Sequence, residues 1–454
     1  MSKIDIEAAF IYSKRADIRD VIRQSLKNQG IDTNNIHNVM DEKEVMSAID
    51  KSEYAYLILD WEVGAESVQN VLQHNRKAHS IESHPVFLIA AKENEAILQA
   101  AKEYFVSACT IGEINTDTIR EQIKGLVGEY RRLSPIRQVL LKVEKSRREG
   151  ELDKAHEMLE KVLAHSPDNP RAIVELAESH ISRNDWEAAE NILRPHLAMD
   201  PPYARIKHLY ARCRLKQNDY NGAIASLKGA QLISPYNTER LLEMGDLFLE
   251  LDRVDEATDS FEEILKFAPE AKSAKLGKSK GMLLAGEINE ALGLLRECAS
   301  NRELSSVFNT AAIIAIKQEK FAVGFGLYKK ALQLLARDKG LSARILYNMG
   351  IGFMKRGENE KGYSCFVKSN EMDPEFENAK HNVKVLSQTK SGSVAISMEE
   401  FEAVEFEETM TVGEDGTIAE YASDEAPGSD YTEDSGDNDD NLDLDAIFDD
   451  VENF

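Results

Sequence analysis

Cysteine is scarce in these 454 residues: Cys109, Cys213, Cys298 and Cys365 stand far apart. Such isolation makes neither a disulfide framework nor a zinc site. A lone cysteine among apolar neighbours is expected to be a small core residue in a reducing compartment, the cytoplasm. No apolar run approaches the roughly 20 residues of a membrane span, so membrane insertion is not expected. The opening Met-Ser-Lys-Ile-Asp-Ile-Glu is too charged for a secretory leader. Glycine-rich phosphate loops of the Walker or dinucleotide type are missing. So is any spaced Ser/His/Asp or Cys/His set. The expectation is a protein that is not an enzyme, with no catalytic residue, cofactor or metal.

Basic residues are missing from one end altogether. After Lys390 the chain has 22 acids and no Lys or Arg, whereas residues 1–390 hold 58 acids against 55 bases. A near-neutral body therefore carries an acidic segment, 391–454. Without clustered Lys and Arg to displace phosphate counterions, nucleic acid is not an expected partner. Self-repulsion and sparse apolar content predict disorder for 391–454. One apolar island, Leu442, Leu444, Ile447, Phe448, Val451 and Phe454, has partly helical spacing and reads as a docking motif.

What is present is a 34-residue period. Ala155, Ala189, Ala223, Ala257 and Ala291 recur at that interval. Four residues after each comes Leu159, Leu193, Leu227, Phe261 or Leu295. Twelve after the first four comes Pro167, Pro201, Pro235 or Pro269. Twelve before the last four lies Ala177, Ala211, Gly245 or Ser279. Small residues let paired helices approach closely, the large residue fills the gap, and proline stops the second helix. These residues resemble the tetratricopeptide repeat. Two looser units follow, with Gly324 and Tyr328, then Gly350, Gly362 and Phe366, and an insertion near Arg337–Ser342. Residues 136–390 are expected to form an all-α solenoid of about seven helical hairpins plus a capping helix from Glu375. The first unit, with Lys142 and Val143 out of pattern, is either a polar cap or a helix shared with the preceding domain.

In that repeat family certain first-helix positions face a groove. Here the resemblance implies Arg137, Arg147, Arg148, Arg171, Arg205, Arg212, Lys216, Lys280, Lys317, Arg344 and Lys355 against Glu144, Glu178, Glu239, Asp246 and Glu250. The implied groove is positive, suited to proteins or acidic peptides, with the chain's own acidic segment as one candidate.

Residues 1–130 alternate short apolar runs with amphipathic segments. Strands are expected at Ala8–Tyr12, Tyr56–Leu59, Val86–Ala90 and, more weakly, Ser107–Ile111. Helices are expected at Ile18–Asn28, Glu42–Asp50, Ser67–His74, Glu95–Tyr104 and Thr116–Glu129. That order implies an α/β doubly wound parallel sheet. Tyr56-Leu-Ile-Leu-Asp60-Trp61, Asp17-Ile-Arg-Asp-Val-Ile-Arg and Pro85-Val-Phe-Leu-Ile-Ala resemble the receiver domain of bacterial response regulators. The resemblance makes Asp60 the phospho-acceptor candidate. The family's reaction also needs Mg²⁺ held by two further acids, a Thr or Ser, and a Lys. The corresponding positions here are Ser13, Lys14, Ala90 and Gly112. Without the acidic pair Mg²⁺ is not expected. Lys14 is expected to pair with Asp60 in its place.

Histidines add no constellation: His37 reads as a loop residue, His74 and His79 lack a second ligand pair, and His156, His165 and His180 read as lying on separate repeat faces. The fold class expected is multidomain: a receiver-like sheet, a repeat solenoid and an acidic segment. The function expected is a cytoplasmic signalling adaptor related to two-component phosphorelays, independent of phosphorylation. It would meet a histidine kinase, another receiver or other proteins. Two alternatives stay open: a phosphorylatable regulator using Asp60, and an assembly scaffold with no signalling role.

Overall fold

A computed structural model of the chain describes residues 8–92 and 94–389. The segment 391–454, with Leu442, Leu444, Ile447, Phe448, Val451 and Phe454, lies outside the described residues. The described residues divide between two compact units, one of 1–244 with 266–269, the other of 245–265 with 270 onward.

The first unit begins with β1 (Ala8–Tyr12), α1 (Ala16–Asn28), β2 (Ile36–Val39), α2 (Glu42–Lys51), β3 (Ala55–Asp60), α3 (Ala65–Lys77), β4 (Val86–Ala90), α4 (Glu95–Glu103), β5 (Ala108–Ile111) and α5 (Thr116–Tyr130). All strand pairs are parallel, in the order β2-β1-β3-β4-β5. Alternation along the strands divides the apolar residues between two layers. Ala9, Ile11, Tyr56, Ile58, Phe87 and Ile89 pack under α1 and α5 through Ile22, Leu26, Ile119 and Ile123. Leu57, Leu59, Leu88 and Ala90 pack under α2, α3 and α4 through Val45, Val68, Val71 and Ile97. Asp60 ends β3 beside the end of β1, where the order of strand addition reverses. In such sheets that crevice is the place for ligands.

β2 departs from the sequence expectation. Only Ile36 and Val39 of its four residues are buried. It forms because β1 offers a parallel edge, and the ring of His37 stacks on Phe10 at 5.3 Å. His37 is thus a strand residue, not a loop residue.

The unit continues with hairpins α6 (Pro135–Arg148) and α7 (Leu152–His165), α8 (Pro170–Ser182) and α9 (Trp186–Leu193), then α10 (Ala204–Lys216) and α11 (Tyr220–Ile233). The boundary between the units falls within α12 (Thr238–Glu250) and α13 (Val254–Phe267). The second unit adds α14 (Lys272–Ala285), α15 (Ile288–Cys298), α16 (Asn301–Lys317), α17 (Phe321–Leu334), α18 (Lys339–Arg356), α19 (Asn359–Met372) and α20 (Glu377–Thr389). The 34-residue alanines are all buried, as are Leu159, Leu193, Leu227, Phe261 and Leu295. The insertion near Arg337 is taken up by a longer first helix, α18. Helix α6 is shared: Leu141 packs on the α1/α5 layer, while Leu140 and Val143 pack with α7 and α8.

Candidate functional site

Asp60 is almost fully buried, and both its oxygens are engaged. Ser13 Oγ donates to Oδ2 at 2.6 Å, and Arg15 donates Nε to Oδ2 and Nη2 to Oδ1, each at 2.8 Å. The backbone N–H of Glu62 donates to Oδ1 at 3.1 Å. A carboxylate has about four lone-pair sites, so this one is saturated. Arg15 precedes α1 and reaches across the ends of β1 and β3. Its planar fork matches a carboxylate in a way an ammonium cannot.

The expected Lys14 pairing is therefore corrected. Lys14 Nζ donates to the carbonyl of Val63 at 3.1 Å, and the next residue holds Asp60. Ser13 is a ligand of Asp60. Ala90 closes β4 as a buried methyl, and Gly112 follows β5 at φ +102°, donating its N–H to Ala90 O at 3.0 Å. These positions converge on Asp60 through the strand ends but present no carboxylate partner. Mg²⁺ needs several oxygen ligands. Asp60, with both oxygens already bonded to Arg15, Ser13 and the Glu62 N–H, offers no free oxygen to such an ion. Among the described residues no group of three or more His, Cys, Asp or Glu is arranged to hold a metal.

A second feature lies along the first helices of the early repeats. The turn between α3 and β4 inserts its carboxylate, Glu82, among them. Arg171 of α8 donates Nη1 to Glu82, Nη2 to Glu144 and Nε to Glu175, at 2.5, 2.5 and 2.6 Å. Glu144 of α6 in turn accepts from the backbone N–H groups of Glu82 and Ser83. Arg137 bonds Glu82 Oε2 at 2.9 Å, and Arg147 bonds Glu175 at 3.0 Å. One turn along, Arg76 of α3 meets Glu178, and Arg205 of α10 joins Glu178 at 2.8 Å to Glu239 at 3.0 Å. Beyond them Arg240, fully buried, pairs with Glu103 of α4 at 2.8 Å. Tyr236 lies on Trp61, with ring centroids 6.2 Å apart, and its hydroxyl accepts from Asn94 at 3.0 Å.

The energetics follow from burial. Glu144 shares one guanidinium with two other carboxylates, and burial pushes it up to about 7 against the pull of Arg171. Burial would raise Glu239 as well, but Arg205, His208 and Arg76 outweigh it and lower that carboxyl to about 2. Buried ion pairs of this kind add little net stability, but breaking one is costly because it strands a charge.

Arg137, Arg147, Arg171 and Arg205 were expected to offer positive charge to a partner. They are already engaged, and the α/β domain is what covers that face. Arg148 is exposed, Arg212 is half-buried, and Lys216 sits over the Trp186 ring at 5.3 Å. Lys280 pairs with Asp246. The sequence also missed a histidine pair: His156 and His180 meet edge to face at 4.7 Å, not on separate faces. Their 24-residue separation, from one repeat's second helix to the next repeat's first, was the available signal.

A family model described as tetratricopeptide repeat matches residues 146–213 and 214–278. The helical run is a tetratricopeptide-repeat array. Such an array is a protein-interaction scaffold. A curated relative, the BBSome complex member BBS4 homolog of Drosophila melanogaster, is 26% identical over 33% of this chain. The match spans 29% of that protein. A tetratricopeptide repeat protein from Parabacteroides merdae is similar in structure, with 17% identity, 56% of this chain and 98% of that chain covered, and a TM-score of 0.39. PilF of Pseudomonas aeruginosa is similar at 18% identity, covering 48% of this chain and 96% of its own, with a TM-score of 0.30. No helix among the described residues is long and apolar enough to cross a membrane.

Proposed function

We propose that the protein is a signalling adaptor of the response-regulator type whose receiver-like module works without phosphorylation, and that it acts in the cytoplasm. The observation that carries this reading is the guanidinium of Arg15 on Asp60. It neutralises the carboxylate where the resembled family places a metal, and it stands in the path of an incoming phosphoryl group. The module then has one state. Its role is to brace the early repeats through Glu82, Arg76 and Glu103, while other surfaces of the array receive protein partners. Four isolated cysteines, all unpaired, favour a reducing compartment.

The test uses the full-length protein with Trp186→Phe, so that Trp61, next to Asp60, is the reporter. Titration with Mg²⁺ and beryllium fluoride should give no saturable fluorescence change. Labelled acetyl phosphate should leave no mark at Asp60, and Asp60→Asn should retain the partners captured by the parent protein. A covalent phosphoryl label on Asp60 would overturn the reading in favour of a phosphorylatable regulator.

A further inference from the structure

In the second unit, first helices two repeats apart meet at their C-terminal ends. Gln318, just past the end of α16, donates Nε2 to the carbonyl of Leu249 on α12 at 2.7 Å. Lys320 pairs with Asp252 beside it. A whole hairpin, α14 and α15, lies between them in sequence. First helices two repeats apart can meet only where the stack bends toward them. On the next step Asn348 of α18 donates to Asn309 of α16 at 2.7 Å, so that side of α18 is turned toward α16. Arg344 and Lys355, one turn before and two turns after Asn348, share its side of the helix. Lys317 immediately precedes Gln318.

Arg344 differs from its counterparts at the same repeat position in the first unit. Arg137, Arg171 and Arg205 are matched by carboxylates. Lys317, Arg344 and Lys355 have no ionic partner among the described residues. The imbalance is regional: residues 301–389 hold 14 bases and 9 acids, whereas 391–454 hold 22 acids and no base. That acidic segment begins directly after α20, which closes the same unit.

We infer that residues 391–454 are the ligand of this inner face. The acids seat along α16 and α18 against Lys317, Arg344 and Lys355. Fully extended, 64 residues reach at most about 210–230 Å at roughly 3.3–3.6 Å per residue, so chain length does not prevent the encounter. Tethering makes the encounter intramolecular, with an effective concentration on the order of millimolar, so modest pairwise attractions suffice. Attraction between exposed charges is screened by salt. An acidic partner protein has to displace the segment first, which makes access to the scaffold conditional.

The experiment compares full-length protein with a form ending at Lys390. Hydrogen exchange in α16 and α18 should be slower in the full chain at low salt, and the difference should vanish near 0.5 M salt. A peptide of residues 391–454 added to the shorter form should bind saturably. Binding should weaken tenfold or more with Lys317→Glu, Arg344→Glu and Lys355→Glu combined, and more mildly with the three glutamine replacements. It should not change with Arg148→Glu and Arg212→Glu. Absence of saturation would overturn the inference, and so would equal weakening by the Arg148 and Arg212 pair. Protection that appears only at high protein concentration would assign the segment to a second copy and overturn it too.

Discussion

Arg15 holds both oxygens of Asp60 at 2.8 Å, with the carboxylate almost entirely out of solvent. Removing the guanidinium leaves a buried charge supported only by Ser13 and one backbone N–H. Arg15→Met should destabilise the protein by about 3 kcal/mol, the lower end for a broken buried pair because Arg15 is partly exposed. Asp60→Asn should cost about 1–2 kcal/mol, since the amide still accepts a bond. The double variant should cost less than the sum, because each change removes the reason for the other's penalty. Urea denaturation of the four proteins checks the cycle.

The Arg171 cluster makes a contrasting prediction. Its guanidinium is the counterion of Glu82, Glu144 and Glu175 together. Arg171→Met should cost about 3–5 kcal/mol and release the α/β domain from the early repeats, seen as faster proteolysis around residues 131–135. Glu82→Gln removes one of three crowded carboxylates and should cost about 1 kcal/mol. Equal effects from the two changes would mean that Arg171 does not organise the cluster.

Much of this architecture was legible from periodicity. Two-residue alternation and apolar runs located four of five strands, and the 34-residue step located the repeat cores. β2 escaped because His37 and Asn38 interrupt it and its order comes from pairing with β1. The filled inner face escaped for a different reason. Periodicity says which side of a helix is turned inward, but not what covers it. Glu82 sits 89 positions before Arg171, and only the fold brings them to 2.5 Å. The Lys14 expectation failed by one residue. Alignment to a resembled pattern put a cation at the pocket, but side-chain geometry decides which cation, and Arg15 has the planar fork.

His84 gives a pH prediction. It lies between α3 and β4, fully buried, with no partner for Nε2 among the described residues. Burial and the nearby Arg148 lower its pKa to about 4, against about 6.5 in an unfolded chain. Between those values the unfolded state binds the extra proton. Stability from this group is therefore complete above about pH 6.5 and is lost as pH falls toward 4. The full excursion is on the order of 3 kcal/mol. His84→Asn should flatten the melting temperature over that interval relative to the parent protein, whatever it does to stability at pH 7.5. An unchanged slope would show that other groups dominate the acid response.

The repeat cores show a size rule that can be tested at one residue. Leu193, Leu227 and Leu295 stand sixteen residues after Ala177, Ala211 and Ser279, whereas Phe261 and Phe366 stand sixteen after Gly245 and Gly350. Tyr328, sixteen after Ala312, is the exception. The reason is visible at Phe261. A Cβ placed on Gly245 would come within 2.4 Å of its ring, and one on Gly277 would come equally close from another helix. The ring fills the space that two missing methyl groups leave. Gly245→Ala should overpack this core and cost about 1–3 kcal/mol, even though alanine is the better helix former. Phe261→Leu shortens the ring side and should cost about 1–2 kcal/mol alone by leaving a void. Combined, the two changes recreate the small-and-leucine pairing of the neighbouring repeats. The double variant should be at least about 1 kcal/mol more stable than the sum of the single effects, a coupling expected of residues in direct contact. Calorimetry on the four proteins decides it. Strict additivity would mean that the helices shift to accommodate the methyl group, and that the glycine is there for some reason other than the ring.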